Sequence, residues 1–422
     1  MTMKVERGAV LAYGAFGLPL AFAALPIYVH VPRLYADGLG LPLALVGAVL
    51  LGTRVLDALL DPLIGWASDR FAARRAWIVA ALPLLAFGLV GLLAPPDGAG
   101  AVWLAALVFV VTLGYSVASI NYSAWGAELA DTSDARTRVV ASREAFALGG
   151  VVLAAGLPSL LGGDERVSLS MLAWFFPLVL ALGAGWTLIG APGGVPPRAS
   201  RVSMPASLRA ALAHRPFALL LRVFAANGIA AAIPASTVMF FIADVLAASA
   251  YSGLFLVLYF AAGAASMPLW VRLARALGKL NAWLVSMVLA TVVFVWAWTL
   301  GAGDLAAFAV ICLLSGATLG ADLALPAAML ADLLARDGAV GEPRAGAWFG
   351  WWNFVAKANL ALAAGLALPM LDAFGYVPGA AGSGGLVALS AVYALFPVML
   401  KLCAAALLWR HRRELDFEGV LK

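Results

Sequence analysis

From Gly8 to Trp409 the chain alternates between apolar runs about twenty residues long and short clusters of charge, proline and glycine. A helix of about 20 apolar residues crosses the hydrocarbon core of a bilayer, and lipid forces every backbone polar group to find a partner within the protein. Twelve runs have that length: Gly8 to Val31, Leu41 to Trp66, Ala76 to Leu93, Ala101 to Gly126, Val139 to Leu161, Leu169 to Ala191, Phe217 to Leu246, Ser252 to Val271, Ala282 to Gly301, Leu305 to Leu334, Ala347 to Leu371 and Leu386 to Trp409. Composition agrees: 64% of the 422 residues are hydrophobic and 12% charged, about half the charge of a soluble domain. The expectation is an all-α integral membrane protein with twelve transmembrane helices and no large soluble domain. Fibrous, disulfide-stapled, secreted and disordered classes are excluded on the same ground. Cys312 and Cys403 lie inside apolar runs and read as small core side chains. The first run is too long for a signal-peptide core and lacks a small-residue cleavage site, so it is expected to remain as the first span.

The net charge of +5 is explained by where the basic residues fall. Loops following even-numbered spans carry Arg70, Arg74, Arg75, Arg136, Arg138, Arg198, Arg201, Arg209, Arg215, Arg272, Arg275, Lys279, Arg336 and Arg344. The opposite loops hold Arg33 and Arg166 against Asp37, Asp97, Asp164, Glu165, Asp304 and Asp372. The positive-inside rule then puts both termini in the cytoplasm. Nucleic acid is not an expected partner; the lipid bilayer and a small-molecule substrate are, with the chain a monomer. Abundant Ala, Gly and Arg, with Arg far above Lys, suggests a GC-rich bacterial genome and hence a multi-pass protein of the inner membrane.

Pro192 to Pro216, rich in Pro, Ser and Arg, reads as a cytoplasmic central loop (192–216) between two six-helix bundles, 1–191 and 217–422. The bundles echo each other at a nearly constant offset. Gly65, Asp69, Arg70, Arg74 and Arg75 face Arg272, Arg275, Gly278 and Lys279; Glu128 answers Asp332; Arg143 answers Arg344. Such duplication marks carriers that alternate access around a site between halves. The run Gly65-Trp-Ala-Ser-Asp69-Arg70 with Arg74-Arg75 resembles the cytoplasmic loop motif of the major facilitator superfamily. That resemblance implies a gate in which Asp69 pairs with Arg70, Arg74 and Arg75, with Glu128, Asp332 and Arg344 alongside.

Charges inside spans cost about 2.5–3.5 kcal/mol each on insertion scales, so each is expected to face a cavity or a partner. They are Arg54, Asp57 and Asp61 on the second span, Arg143 and Glu144 on the fifth, Arg222 on the seventh, Asp322 on the tenth, Lys357 on the eleventh and Lys401 on the twelfth. Arg54, Asp57 and Asp61 are spaced i, i+3, i+7 and share one helix stripe. One acid satisfies Arg54; a second, one turn on, calls for a proton or a cation. Lys357, one turn after Asn353, offers a counter-charge that could replace that cation or hold an anionic group of the substrate.

Arg54-Val-Leu-Asp57-Ala-Leu-Leu-Asp61-Pro62-Leu-Ile-Gly65 resembles the second helix of the glycoside-pentoside-hexuronide:cation symporters, the melibiose permease group. The likeness continues through Tyr13-Gly-Ala-Phe16-Gly17, Tyr122-Ser-Ala-Trp-Gly-Ala-Glu128, Arg143, Ala331-Asp332 and Phe354-Val-Ala-Lys357. It implies that Asp57 and Asp61 bind the coupling cation, that Lys357 takes part in coupling and that Arg143 lines the substrate path. Arg54, Asn121, Tyr122 and Asn353 are grouped with these as coupling or substrate residues. Leu60 stands where that family has an asparagine, and the fourth span offers Ser116 and Ser119 in place of threonine and aspartate. Fewer oxygens favour a proton over sodium. The sugar-contacting aspartate and tryptophans of the family correspond to Pro19, Ser123 and about Leu323, which weakens a galactoside substrate; Trp125, Trp348, Trp351 and Trp352 are available for stacking, or as an aromatic belt. The vertebrate lysophospholipid carriers resemble the same group, so an amphipathic anionic lipid is an alternative substrate, and an uncoupled uniporter an alternative mechanism.

An enzyme is not expected. His30, His214 and His411 form no metal motif, and no nucleophile elbow, P-loop or dinucleotide fingerprint occurs. The expected function is a proton- or sodium-coupled symporter of a small organic solute, with no cofactor besides the coupling ion.

Overall fold

A computed structural model describes residues 6–71, 73–161, 165–193, 202–338, 345–379 and 382–419. Every regular element among them is helical. The first span is two helices, Arg7–Ala15 and Gly17–Val29, followed by Leu43–Phe71, Arg74–Leu93, Ala101–Glu128, Ser133–Leu161 and Glu165–Gly190 as spans two to six. Spans seven to twelve begin with Arg215–Phe240, Ser252–Leu277, Lys279–Phe294, Leu305–Gly338, Ala345–Ala373 and Ser383–Ser390; the last continues through a π segment, Ala391–Leu395, into Phe396–Arg410. Among the described residues, eleven helices are long and apolar enough to cross a membrane. The exception is Leu43–Phe71, whose 29 residues suffice in length but carry Arg54, Asp57, Asp61, Asp69 and Arg70. The helix whose charges interrupt its apolar run is therefore the one whose charge must be explained by a site.

Two differences from the sequence expectation have local causes. Several helices run past the apolar stretch, the second to Phe71 and the tenth to Gly338, because a helix that leaves the bilayer keeps its backbone bonds while its side chains turn polar. Within the expected central loop lies a helix, Met204–Ala213. Its Ala-rich sequence, with a proline in the first turn, favours helix where one was read as irregular linker. Trp66 Nε1 donates to Val202 O just ahead of it, at 3.1 Å.

The chain forms two compact units. One comprises residues 1–213 with 334–354; the other, residues 214–333 with 355–422. The eleventh span is thus shared, its first ten residues packing with the first unit. In the first unit the third span packs on the fourth, the first on the fifth and sixth, and the second on the fourth, around Tyr13, Phe16, Phe22, Trp125 and Phe176. In the second unit the twelfth span packs on the seventh and ninth, around an aromatic cluster in which Phe241 stacks on Tyr393 at 4.1 Å and Phe308 meets Phe255 edge-on at 4.8 Å. Prolines 26, 62, 83, 177, 234, 268, 326 and 369 lie inside helices, as membrane helices tolerate when neighbours satisfy the freed carbonyls.

Candidate functional site

The second span brings its acids into the interior of the first unit. Asp57 is 3% exposed and Asp61 0%. Ser116 of the fourth span donates its hydroxyl to Asp57 Oδ1 at 2.7 Å, joining two residues assigned to the cation site from sequence. Arg54, one turn earlier, is half-buried and borders a cavity of about 210 Å³ with Ile27, Leu50, Leu51, Val108 and Thr112. Ser119, one turn beyond Ser116, instead accepts from Asn353 Nδ2 at 3.2 Å. The helix start that carries Asn353 approaches the second span so closely that a Cβ on Gly350 would lie 2.6 Å from Asp61 O. Lys357 is half-buried on the same helix but belongs to the second unit.

Two turns beyond Asp61, a denser polar cluster is built around Arg74. Its Nη2 pairs with Asp69 Oδ1 at 2.7 Å and with Glu128 Oε1 at 2.9 Å, while Nη1 donates to Ser68. Ser68 in turn donates to Asn121 Oδ1 at 2.5 Å. Asp69 accepts two more bonds, from the backbone N–H groups of Gly346 at 2.7 Å and Ala347 at 2.8 Å, the first residues of the eleventh span. A carboxylate there meets unsatisfied amides and the positive end of the helix dipole together. Glycines at 65 and 346 permit the approach, since a Cβ on either would overlap the other's carbonyl. Arg75 lies 4.8 Å from the centroid of the Trp125 ring and donates to Ala191 O at 2.6 Å; Arg70 is exposed. Of the residues assigned to the gate, Asp69, Arg74 and Glu128 therefore meet in one cluster, and Arg344 lies outside the described residues. Asn121, grouped with the substrate residues, sits in this network.

A third cluster joins the fourth and fifth spans. Arg143 Nε donates to Glu144 Oε1 at 2.9 Å and Nη1 to Ser123 Oγ at 2.6 Å. Tyr122 and Tyr13 clasp reciprocally: each hydroxyl donates to the other's backbone carbonyl, Tyr13 Oη to Tyr122 O at 2.7 Å. Trp125 and Trp348 are fully buried, so they belong to the interior and not to a lipid-facing belt.

In the second unit, Asp332 pairs with Lys279, which also lies 3.4 Å from Glu418. The two arrangements, Arg74 with Glu128 and Lys279 with Asp332, occupy corresponding positions of the sequence repeat. Sequence reasoning missed Ser68, whose hydroxyl bridges Arg74 and Asn121, and the backbone amides at 346 and 347. It also left unpaired the intramembrane Asp322 and Lys401, which bond at 2.6 Å.

Comparison with known proteins agrees with this architecture. The inner membrane symporter YicJ of Escherichia coli K12 is 33% identical over 154 residues, 33% of this chain and 33% of that protein. An uncharacterized symporter of Synechocystis sp. is 30% identical over 176 residues, 37% of this chain and 32% of that protein. The chain thus spans about a third of the length of the curated relatives it matches. A bacterial homologue of the iron transporter ferroportin, solved in an outward-facing state, superposes with a TM-score of 0.73 at 16% identity, covering 96% of this chain and 98% of that one; at that identity the likeness is one of fold. The family model described as MFS/sugar transport protein matches residues 10–413, and the chain belongs to that family, with the all-helical fold of the major facilitator superfamily.

Proposed function

We propose that the chain is a cation-coupled symporter that moves a small organic solute of the glycoside class by alternating access. One observation carries this reading: Asp57 and Asp61, one helical turn apart, are both buried, with Ser116 bonded to the first. Two carboxylates so close in a medium of low dielectric repel unless a proton or a cation joins them. A structural role for Arg54 would need one acid. The second gives the site a reversible charge, which is what coupling to an ion gradient requires. Ser116 is one hydroxyl beside two carboxylates, a donor set poor for sodium and sufficient for a proton, so the proposed coupling ion is H+. Lys357 is assigned to coupling and Arg143 to the substrate path. The proposed setting is a bacterial inner membrane with both termini cytoplasmic, the chain acting as a monomer without a resident cofactor.

The Asp69 cluster supplies the gate. A few charge-assisted hydrogen bonds onto a helix start form a latch that modest differences in ligand affinity can open or close. The test is uptake by proteoliposomes under separately imposed pH and sodium gradients, with sugars and lysophospholipids screened side by side. Concentrative sugar uptake driven by the pH gradient is the expected result. Uptake that equilibrates but never exceeds the external concentration, under either gradient, contradicts coupling.

A further inference from the structure

The second unit contains a cavity of about 200 Å³ that the coupling site does not use. Its walls come from the seventh to tenth and the twelfth spans, and they are mainly apolar: Pro234, Phe255, Phe260, Phe294 and Ile311 among them. At the wall stands an ion pair in the middle of two membrane helices, Lys401 Nζ to Asp322 Oδ2 at 2.6 Å, with side chains 12% and 10% exposed. A buried pair of this kind is a poor way to stabilise a bundle, because apolar residues of the same volume hold as well or better without the desolvation cost. In the membrane it therefore points to a ligand.

The hydrogen bonds indicate which charge is available. Both oxygens of Asp322 are engaged, Oδ1 by Trp283 Nε1 at 2.9 Å and Oδ2 by Lys401. An ammonium has three donors, and the bond to Asp322 uses one of them. The free donating capacity at the cavity is thus cationic and suits an anionic oxygen. The apolar volume sets the rest of the ligand: a cavity of about 150 Å³ holds a benzene ring, so this one takes a ring with a short chain. Charge balance adds a condition. The pair is neutral, and an anion entering alone would leave a net charge in low dielectric, whereas an anion arriving with a proton on Asp322 would not. The other titratable groups on the cavity walls are Tyr259, Cys312 and Tyr393, none of which is an anion under ordinary conditions.

From this geometry we infer that the second unit holds a binding site for a small amphipathic monocarboxylate, its apolar body in the cavity and its carboxylate on Lys401, taken up together with one proton. The site lies within one unit and does not rest on the assignment of Asp57 and Asp61.

The test is equilibrium dialysis of radiolabelled 3-phenylpropionate against the purified full-length protein in detergent, with a detergent-only control. Saturable binding is expected, tightening as pH falls from 8 to 6, with about one proton taken up per anion in weakly buffered solution. 3-Phenylpropanol and 3-phenylpropylamine should bind at least tenfold more weakly. Lys401→Met should weaken 3-phenylpropionate at least tenfold and Lys401→Arg should retain it, while Asp322→Asn should bind without proton uptake and without pH dependence. Should Lys401→Met fail to fold, Ala230→Leu, which fills the apolar part and leaves the pair in place, should lose binding by a similar factor. Absence of saturable binding, equal binding of the neutral alcohol, or full binding by folded Lys401→Met or Ala230→Leu overturns the site.

Discussion

A charge inside a membrane bundle persists only in company, and Arg143 has close partners in Glu144 and Ser123. Removing one member of such a pair leaves the other buried and uncompensated, at a cost of up to about 3–5 kcal/mol. Arg143→Gln is therefore expected to lower the thermal midpoint of the purified protein markedly, and Arg143→Gln with Glu144→Gln to recover most of the loss. A double variant no more stable than the single one would show that the pair is not what holds Arg143. At this scale the sequence was half legible. A charge in an apolar run is visible by its rarity, as Arg143, Asp57 and Asp61 were. Partners such as Ser123 on Arg143, or Ser116 on Asp57, depend on how two helices are turned against each other, and small hydroxyl residues leave no mark of that in a linear pattern.

The element that matters most is the start of the eleventh span, held by Asp69 through two backbone N–H groups and by the backbone approach at Gly65 and Gly346. Hydrogen bonds to a charged group are worth about 1.5–3 kcal/mol each, and every 1.4 kcal/mol is a factor of ten in an opening equilibrium. Hydrogen exchange of the peptide containing residues 345–350 is thus expected to quicken at least tenfold in Asp69→Ala, with Gly346→Val showing the same by steric means. Unchanged exchange in both variants would show that Asp69 does not latch the start of the eleventh span. The motif from Gly65 to Arg75 announced an acid with basic partners, and Arg74 is one. The other partner is backbone, which has no side-chain signature, so sequence could assign the acid a gate but not find what it closes on. The helix Met204–Ala213 stayed hidden for a different reason: a proline- and arginine-rich context masked a short stretch with good helical propensity.

Across the whole molecule, the scarcity of charge makes each charged residue legible. Loop charges predict the orientation, and several of the charges within the spans gather into clusters, the acids of the second span and the Asp322–Lys401 pair among them, while Arg222 is exposed and bonds to Ala218 O of its own helix. Single cysteines at Gly98 and at Ala206, in a chain whose Cys312 and Cys403 are replaced by serine, are expected to label from opposite sides of the membrane in right-side-out vesicles, Gly98 from outside. Labelling of both from one side would refute the orientation. The twofold repeat is read from charges that recur in the sequence, and two of the recurring positions hold ion pairs, Arg74 with Glu128 and Lys279 with Asp332. Lys279→Met should consequently destabilise the second unit, and restoring neutrality with Asp332→Asn should rescue it, as followed by thermal denaturation. How the compact units divide the eleventh span was not legible, since the helix-forming run Asn353-Phe-Val-Ala-Lys357 carries no proline, glycine or turn signal at the boundary.

Ion coupling is assigned by this proposal to Asp57 and Asp61. Its most direct measurement compares two modes of transport of one substrate by Asp57→Asn and Asp61→Asn in proteoliposomes: accumulation driven by an imposed gradient, and exchange of labelled for unlabelled substrate with no gradient. Both variants are expected to lose accumulation. At least one is expected to retain exchange, because a neutral amide at the site spares the carrier's motion while removing its charge. Normal accumulation by both variants would contradict that assignment.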